Sequence, residues 1–387
     1  MDQKILFFNA KILSASGVID PGWLLVENRS IVQIGKGSPP ASMGGVETID
    51  ASGSTLAPGL IDLHVHGAVG REVMDANPDG ILEIARFLAT RGVTAFLAAT
   101  WTAPQPKIQQ ALKVIVDSYG HIRDGASLVG AYLEGPYLNP NRAGAQDMNL
   151  IRQAVEQAEA LSYLESGLVR IVALAPEYPE NMWLVDECVK RGIAVAAAHT
   201  NATYEEMEIA VKHGVSLLTH CFNAMSPFHH RQPGAAGAGL VLKELRCELI
   251  ADNIHVHPVV QKILYQARGC QGIVLVSDCV RATGLPEGEY DLDGRKVKVK
   301  NGAVHLPDGT LAGSVLTLDT ALKNFMAAAN LPLEEAILSA SLYPARAIGI
   351  AHYKGVLDIG HDADILLLDR DMNLLLTMVE GKIVYKP

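Results

Sequence analysis

The sequence predicts an α/β fold: a TIM-like (β/α)8 barrel with a small, discontinuous β-sandwich formed by both ends of the chain. Between residues 59 and 355, short apolar runs alternate eight times with segments whose apolar residues recur every three or four positions. Such alternation is typical of eight β-plus-α units that close into a barrel. Both ends contain only short apolar runs separated by turn residues, which indicates strands. A chain of 387 residues can bury a core of this size.

The predicted barrel strands are short, and several of them end on a polar side chain. They cover residues 60–66, 95–100, 128–134, 169–175, 193–199, 216–220, 248–252 and 272–278. Predicted helices cover 80–91, 107–119, 150–166, 181–191, 204–212 and 259–268, and helical spacing returns over 318–349. The predicted strands of the two ends cover 4–8, 23–26, 30–34, 363–368, 374–379 and 382–385.

Neither end of the chain has enough strands for a stable sheet of its own. We therefore predict that residues 1–58 and 356–387 pair into one β-sandwich domain, with the barrel between them. An insertion at about 284–310 interrupts the barrel, and its Asn301-Gly302 pair predicts the turn of a β-hairpin.

The composition is that of an ordinary soluble globular enzyme, with 49% hydrophobic and 19% charged residues. A net charge of −10 argues against non-specific binding to nucleic acid or to a membrane surface. Five cysteines without regular spacing predict no disulfide framework and fit a reducing cytoplasm. We find no signal-peptide pattern and no apolar run long enough to span a membrane. We therefore expect a cytoplasmic protein that acts on a small molecule.

Two histidines, His64 and His66, end the first predicted barrel strand. Residues two apart on a strand point to the same face, so the two imidazoles project together. Such a pair can form half of a metal site. The pattern alone is not specific, because two ordinary histidines on a polar sheet face would produce it as well.

Four further strand ends carry side chains that can bind a metal ion. A single ionisable group there is usually a capped strand end, but burying several is costly unless they are paired or bound to metal. Barrel active sites are built from the C-terminal ends of the strands, so these groups should converge on one face. Their nitrogen and oxygen atoms suit zinc or a similar divalent ion. The predicted ligands are His64, His66, Glu134, His199, His220 and Asp278.

These ligands, on a barrel with a split β-domain, resemble the amidohydrolase superfamily, whose fold is a metal-dependent hydrolase barrel. Within it the chain is similar to the N-acetylglucosamine-6-phosphate deacetylase family. The most specific part of that likeness is Phe222-Asn-Ala-Met225 with Arg231-x-Pro-Gly behind it. The likeness runs from about residue 24 to 385, and its blocks are 133–136, 219–227, 231–234, 251–258, 277–284 and 311–314.

The resemblance implies hydrolysis of the acetamide of N-acetylglucosamine 6-phosphate to glucosamine 6-phosphate and acetate, in amino-sugar catabolism. It implies that Glu134, His199 and His220 bind one divalent ion, with zinc expected and ferrous iron as the alternative. Some relatives lack the first-strand histidines and use one ion. Because this chain retains His64 and His66, a second ion bridged by Glu134 is expected.

The resemblance also implies roles for Asp278 and for several loop residues. Asp278 would be the general base, which takes a proton from water and passes it to the leaving amine, and the alternative is a pure metal ligand. Arg231 would bind phosphate through paired hydrogen bonds across the interface of a homodimer, and the alternative is a surface residue beside a proline turn. Asn223 and Ala224 could offer the phosphate an amide group and backbone N–H groups. His255 would contact the sugar or its phosphate.

One stretch departs from the resembled family, which usually reads Lys-Gly-Ala-His where this chain has Ala143-Gly-Ala-Gln146. Gln146 stands where a sugar-contacting histidine is expected, and Ala143 replaces the lysine. Glutamine can still donate and accept hydrogen bonds, and Ala145 can still offer its backbone. The preferred sugar is therefore open between N-acetylglucosamine 6-phosphate, N-acetylgalactosamine 6-phosphate and a related acetamido sugar.

Two other functions deserve comparison with the deacetylase hypothesis. Cyclic-amide hydrolases and dipeptidases of the superfamily often use a carboxylated lysine as the bridging ligand. Here Glu134 fills that position, and no lysine ends a predicted strand. A catalytically silent scaffold would typically lose metal ligands, whereas this chain keeps all six.

Overall fold

A computed structural model of the chain describes residues 3–40 and 46–387. Its largest feature is a nearly closed barrel of eight parallel strands, so the predicted fold class is confirmed. All eight predicted strands are present, and most of them end one to three residues earlier than predicted. From first to eighth, the barrel strands are Leu60–Val65, Val93–Ala99, Ser127–Glu134, Val169–Leu174, Ala194–Ala197, Val215–Leu218, Arg246–Leu249 and Ile273–Leu275.

The first and eighth barrel strands are joined by contacts at the C-terminal mouth of the barrel. The buried Asp62 side chain accepts hydrogen bonds from the backbone N–H groups of His64 and Ser277, both at 3.2 Å. Just beyond the strand ends, the Cys279 carbonyl accepts the N–H of His66 at 2.9 Å. The closure therefore fixes the backbone of the first-strand histidines against the segment that leads to Asp278.

The two ends of the chain pair with each other, as predicted. The strand Thr55–Pro58 lies between Lys4–Ser14 and Ile365–Leu368 and pairs with both. Hydrogen bonds join all the strands of the two ends into one sheet. This sheet curls on itself, and the Arg29 carbonyl in the turn at one end accepts the Ala363 N–H at 2.8 Å. Its strands enclose a shared apolar core. They are Lys4–Ser14, Gly17–Glu27, Ser30–Lys36, Glu47–Asp50, Thr55–Pro58, Ile365–Leu368, Leu374–Val379 and Lys382–Tyr385.

The helices that surround the barrel follow the predicted order with two differences. The helix predicted over 150–166 is shorter, because residues before it form turns held by the Asn181 side chain. The helix Gly234–Val241 was not predicted, because its buried glycines and alanines show no amphipathic pattern. No described helix is long and apolar enough to cross a membrane. The helices are Pro78–Ala89, Gln105–Ser118, Gln157–Leu164, Pro179–Lys190, Tyr204–His213, Gly234–Val241, Pro258–Arg268, Leu318–Ala329, Leu333–Ala336 and Leu342–Ala347.

The predicted insertion forms a four-stranded antiparallel sheet beside the barrel mouth. Asn301 and Gly302 both have positive φ, at 54° and 75°, and form the predicted hairpin turn. Arg295 of this sheet donates a hydrogen bond to the Ala145 carbonyl at 2.6 Å, so the insertion contacts a loop at the mouth. Its strands are Gly288–Leu292, Arg295–Lys300, Ala303–His305 and Leu311–Ser314. A separate two-stranded sheet, Gly67–Ala68 and Arg71–Glu72, follows the first barrel strand.

Candidate active site

The six predicted metal ligands converge at the C-terminal mouth of the barrel, although several lie beyond the strands rather than on them. The fifth, sixth and eighth strands end two or three residues before His199, His220 and Asp278. These three residues have positive φ values of 43°, 29° and 50°. Left-handed backbone is costly for residues with a side chain and clusters at functional sites. The sequence prediction that each ligand ends its strand is confirmed for Glu134 and corrected for His199, His220 and Asp278, which follow their strands in left-handed backbone.

Three side chains form the first ligand group. The Nε2 atoms of His199 and His220 lie 3.2 and 3.3 Å from Oε1 of Glu134 and 3.2 Å from each other. Their Nδ1 atoms face the carbonyl oxygens of Arg142 at 2.9 Å and Asn223 at 3.2 Å. Carbonyl oxygens only accept, so each Nδ1 carries a proton and each neutral ring presents a lone pair at Nε2. Lone pairs that face each other and a carboxylate fit a bound cation.

The second group shares Glu134 with the first. His64 and His66 bring their Nε2 atoms to 3.1 Å, and His66 Nε2 lies 3.4 Å from Oε2 of Glu134. Oδ1 of Asp278 lies 3.3 Å from the same His66 nitrogen. The other ring nitrogen of His64, Nδ1, contacts Oε2 of the buried Glu248 at 3.2 Å. Within each group of two histidines and Glu134, the ligand atoms lie within 4.8 Å of one another, so each group could hold an ion.

Electrostatics keep the two carboxylates of the site ionised. Burial alone would raise the pKa of Glu134, but its contacts with His199, His220 and His66 outweigh burial and hold that pKa well below its usual value. The pKa of Asp278 is also lowered, because the His64 and His66 charges outweigh its burial. Conversely, these carboxylates outweigh the effect of burial on His66 and raise its pKa to about 9. Contacts between these side chains, rather than solvent, therefore set the protonation states of the site.

A cavity of about 220 Å³ opens onto these ligands and collects most of the predicted substrate-binding residues. His255 lies on its wall, and its Nδ1 contacts Oδ2 of Asp252 at 2.6 Å, which fixes the ring. Arg231 lies elsewhere: its side chain is exposed, contacts His230 at 2.8 Å and lines a neighbouring cavity. The predicted residues on the wall of the first cavity are Glu134, Ala145, His199, His220, Asn223, Ala224, His255 and Asp278.

Gln146 is buried beside the ligands. Its side-chain nitrogen donates to Oε2 of Glu134 at 2.5 Å, and its oxygen accepts the Thr102 N–H at 2.8 Å. Both ends of the amide are thus engaged within the chain. The carbonyl of the neighbouring Ala145 accepts from Arg295. The sugar contact expected for Gln146 stays a prediction.

Four residues around the site did not emerge from the sequence. Glu248 and Asp62 are buried carboxylates in the middle of apolar strands, and that unusual position was the available signal. Trp101 stacks on His66, with ring centroids 3.8 Å apart and planes 12° apart. Arg295 reaches the site from the insertion. Neither Trp101 nor Arg295 has a local sequence pattern that marks such a contact.

Comparison with known proteins agrees with this geometry. Residues 55–384 match the sequence model described as the amidohydrolase family. The chain therefore belongs to the amidohydrolase family, which is metal-dependent.

The similar proteins are deacetylases of amino-sugar phosphates. An N-acetylglucosamine-6-phosphate deacetylase from Vibrio furnissii is 41% identical over 332 residues, which cover 85% of this chain and 83% of that protein. An N-acetylgalactosamine-6-phosphate deacetylase from Escherichia coli O157:H7 is 36% identical, covering 87% of this chain and 90% of that protein. A mutant N-acetyl-D-glucosamine-6-phosphate deacetylase from Mycobacterium smegmatis, solved in complex with N-acetyl-D-glucosamine-6-phosphate, has a TM-score of 0.92 at 29% identity, with 99% and 100% of the chains covered.

Proposed function

We propose that this protein hydrolyses the acetamide of N-acetylglucosamine 6-phosphate to glucosamine 6-phosphate and acetate, with divalent metal bound in the barrel mouth. The observation that carries the proposal is the convergence of four imidazole Nε2 atoms on the two oxygens of one buried carboxylate, Glu134. The names of the similar proteins support the substrate.

Two ions would be held, one by each ligand group, with Glu134 bridging them. We propose zinc, with ferrous iron as the alternative, because imidazole nitrogen and carboxylate oxygen suit both. A bound divalent ion lowers the pKa of water and polarises the acetamide carbonyl as a Lewis acid. The protein side chains then have to position the amide and move the proton.

Asp278 is the proposed general base. Its lowered pKa means that the carboxylate is ionised at neutral pH and can accept a proton from the attacking water. The same carboxyl group would then deliver that proton to the leaving amine nitrogen. Its backbone is fixed for this task, because the Asp278 carbonyl accepts the Ser314 N–H at 2.8 Å.

The loops around the cavity would bind the sugar phosphate. His255, whose ring is fixed by Asp252, lies on the wall and would contact the sugar or its phosphate. Asn223 and Ala224 lie on the same wall and can offer an amide group and backbone N–H groups to the phosphate.

Arg231 would complete the phosphate site of a neighbouring subunit in a homodimer. Its exposure and its place outside the cavity of its own chain support this assignment. Co-expression of an Arg231→Ala chain with an Asp278→Asn chain tests it, because a mixed dimer then contains one complete site. Activity well above that of either variant alone supports a contribution from the second subunit. Activity no higher than the two variants alone would show that Arg231 acts within its own chain or not at all.

The galacto epimer is the second candidate substrate, and one observation favours it: Ala143 and Gln146 replace the lysine and histidine expected at these positions. A similar protein at 36% identity is named for N-acetylgalactosamine 6-phosphate. We would compare kcat/KM for the two 6-phosphates side by side. A higher value for the galacto substrate would assign that epimer to the same site.

We also propose a cytoplasmic location. All five cysteines are free and buried, which suits a compartment that keeps thiols reduced. The net charge of −10 is unfavourable for binding to anionic polymers or lipids.

The decisive experiment is acetate release by the purified chain from N-acetylglucosamine 6-phosphate. We expect release that stops after dialysis against a chelator and returns when Zn²⁺ or Fe²⁺ is added back. N-acetylglucosamine without phosphate is the matched control and should react much more slowly. Undiminished acetate release after verified removal of metal would contradict the proposal, and so would a metal-loaded chain that hydrolyses neither epimer.

A further inference from the structure

Gln146 connects the bridging carboxylate to the backbone of the loop after the second barrel strand. Its side chain is 5% exposed and spans the gap between Thr102 and Glu134. The Thr102 N–H can only donate, so the group that faces it at 2.8 Å must be the amide oxygen. The amide nitrogen is therefore the end that meets Oε2 of Glu134 at 2.5 Å. The hydrogen-bond network alone fixes the orientation of the amide.

The two oxygens of Glu134 have different neighbours. Oε1 lies within 3.3 Å of the Nε2 atoms of both His199 and His220, and 3.6 Å from Nε2 of His64. Oε2 faces His66 Nε2 at 3.4 Å and receives the amide hydrogen bond from Gln146. Gln146 thus acts on the oxygen that faces His66 of the second ligand group and not on the one that faces His199 and His220.

The same loop also braces His66. Trp101, the residue before Thr102, stacks its ring on the His66 imidazole at 3.8 Å. Nδ1 of His66 has no hydrogen-bond partner among the described residues, so the stacking contact holds this ring where a hydrogen bond usually would. One short loop therefore positions the second ligand group at two points: the His66 ring directly and Glu134 Oε2 through Gln146.

We propose that Gln146 is a positioning residue for the second metal ion: it holds Oε2 of Glu134 in place for the ion bound by His64 and His66. This inference rests on the proposed function, because it needs an ion in each ligand group. An amide suits the task, since it donates a hydrogen bond without adding a positive charge that would compete with the ion. Hydrogen-bond partners of metal ligands typically contribute about 10- to 100-fold to metal affinity.

The test measures Zn²⁺ binding to the full-length protein, with stoichiometry from elemental analysis and affinities from competition with a chromogenic chelator. Gln146→Met keeps the length of the side chain and removes both hydrogen bonds. Gln146→Asn keeps the amide but shortens it by one methylene, so it cannot reach both partners. Asn149→Ala is the matched control, because Asn149 is exposed on the same loop and its side chain bonds to no described residue except Asp147.

We expect two ions in the wild-type chain and in Asn149→Ala. In Gln146→Met and in Gln146→Asn one ion should bind with nearly wild-type affinity and the other about 10- to 100-fold more weakly. Wild-type affinities for both ions in Gln146→Met, an equal loss at both sites, or a raised KM with unchanged metal content would each overturn the inference. A wild-type chain that binds one ion and still releases acetate overturns it as well but leaves the hydrolase proposal intact. A chain that neither binds metal nor releases acetate removes the proposed function itself.

Discussion

Two regions of this protein bury several charged groups together, and they balance that charge differently. Where the barrel meets the terminal sheet, the 1% exposed Lys354 places Nζ 2.9 Å from Asp362, 2.8 Å from Asp364 and 3.2 Å from Glu380. Arg29 adds a second cation at 2.7 Å from Asp362. In this junction cluster (Arg29, Lys354, Asp362, Asp364 and Glu380), the chain supplies the positive charge itself.

The barrel mouth has the opposite arrangement. Among the described residues, every ion-pair partner of Glu134 and Asp278 is a histidine. Imidazoles in their neutral form bring lone pairs and no charge, so a cation from outside the chain could complete this cluster. The comparison teaches that a buried lysine supplies a permanent positive charge where two parts of the fold are joined. Histidines instead supply ligand atoms for an exchangeable ion where a reaction is to be catalysed.

The largest effect that would separate the two regions is on catalysis. Asp278→Asn should lower kcat by about 10²- to 10⁴-fold, because the amide cannot take a proton from water. Measurement of acetate release checks the rate, and elemental analysis should show metal still bound. Asp371→Asn, at an exposed position, is the control and should keep wild-type kcat. Robust turnover in Asp278→Asn would remove Asp278 from the role of base.

In the junction cluster the expected effect is on stability instead. Lys354→Met removes the shared cation and leaves the buried Asp364 without an ion-pair partner among the described residues, which should cost about 3–5 kcal/mol in free energy of unfolding. Chemical denaturation measures the loss, while metal content and kcat of the folded fraction should stay unchanged. Lys113→Met is the control, since Lys113 pairs with Asp117 on a helix surface with 72% of its side chain exposed, and it should cost less than about 1 kcal/mol. A loss of metal in Lys354→Met would contradict the separation of the two regions.

Removal of metal should destabilise the mouth by an amount set by mass action. A ligand present at about 100 times its dissociation constant stabilises the folded state by about 2.7 kcal/mol, so a chelator should lower the unfolding temperature of the loaded wild-type chain. Differential scanning calorimetry with and without chelator measures the shift. Glu134→Gln, which weakens both ligand groups, should unfold at a temperature that hardly responds to the chelator. A full response in Glu134→Gln would show that the metal binds elsewhere.

Much of the fold could be predicted from the sequence because its signals are local. The apolar runs indicated all eight barrel strands, and the Asn301-Gly302 pair indicated the hairpin. The strand Thr55–Pro58 was missed because it is short and owes its place to pairing with strands from both ends. The helix Gly234–Val241 was missed because it packs through small residues: a Cβ on Gly239 would lie 2.7 Å from Leu218.

The candidate site divides in the same way. The six side chains that converge in the mouth could be predicted because each one is a histidine or carboxylate after an apolar run, such as His199 after a series of alanines. The residues that orient them could not be predicted, because their contacts join distant parts of the chain. Glu248 and His64 are 184 positions apart, and Arg295 reaches Ala145 across 150 positions. Only the folded barrel brings such pairs together.

The smallest effect predicted here concerns two carboxylates that share Lys354 but titrate in opposite directions. Burial alone would raise the pKa of Asp362, but the Arg29 hydrogen bond and the Lys354 charge outweigh it and lower that pKa. Burial dominates at Asp364 and raises its pKa. Asp362 therefore contributes stability that is present above its unfolded pKa of about 3.9 and is lost as the pH falls. Asp364 has the opposite effect, because its contribution to stability is lost as the pH rises through the same region.

These opposite signs can be measured as slopes of the unfolding free energy between about pH 6 and pH 3. Asp362→Asn should flatten the loss of stability on acidification relative to the wild-type chain, because it removes a group that binds more protons when unfolded. Asp364→Asn should steepen that loss, because it removes a group that binds more protons when folded. Slopes that change in the same direction in both variants would show that the junction cluster titrates as one unit. The contrast with the histidine-lined mouth would then depend on the total charge of the junction cluster rather than on the partners of each carboxylate.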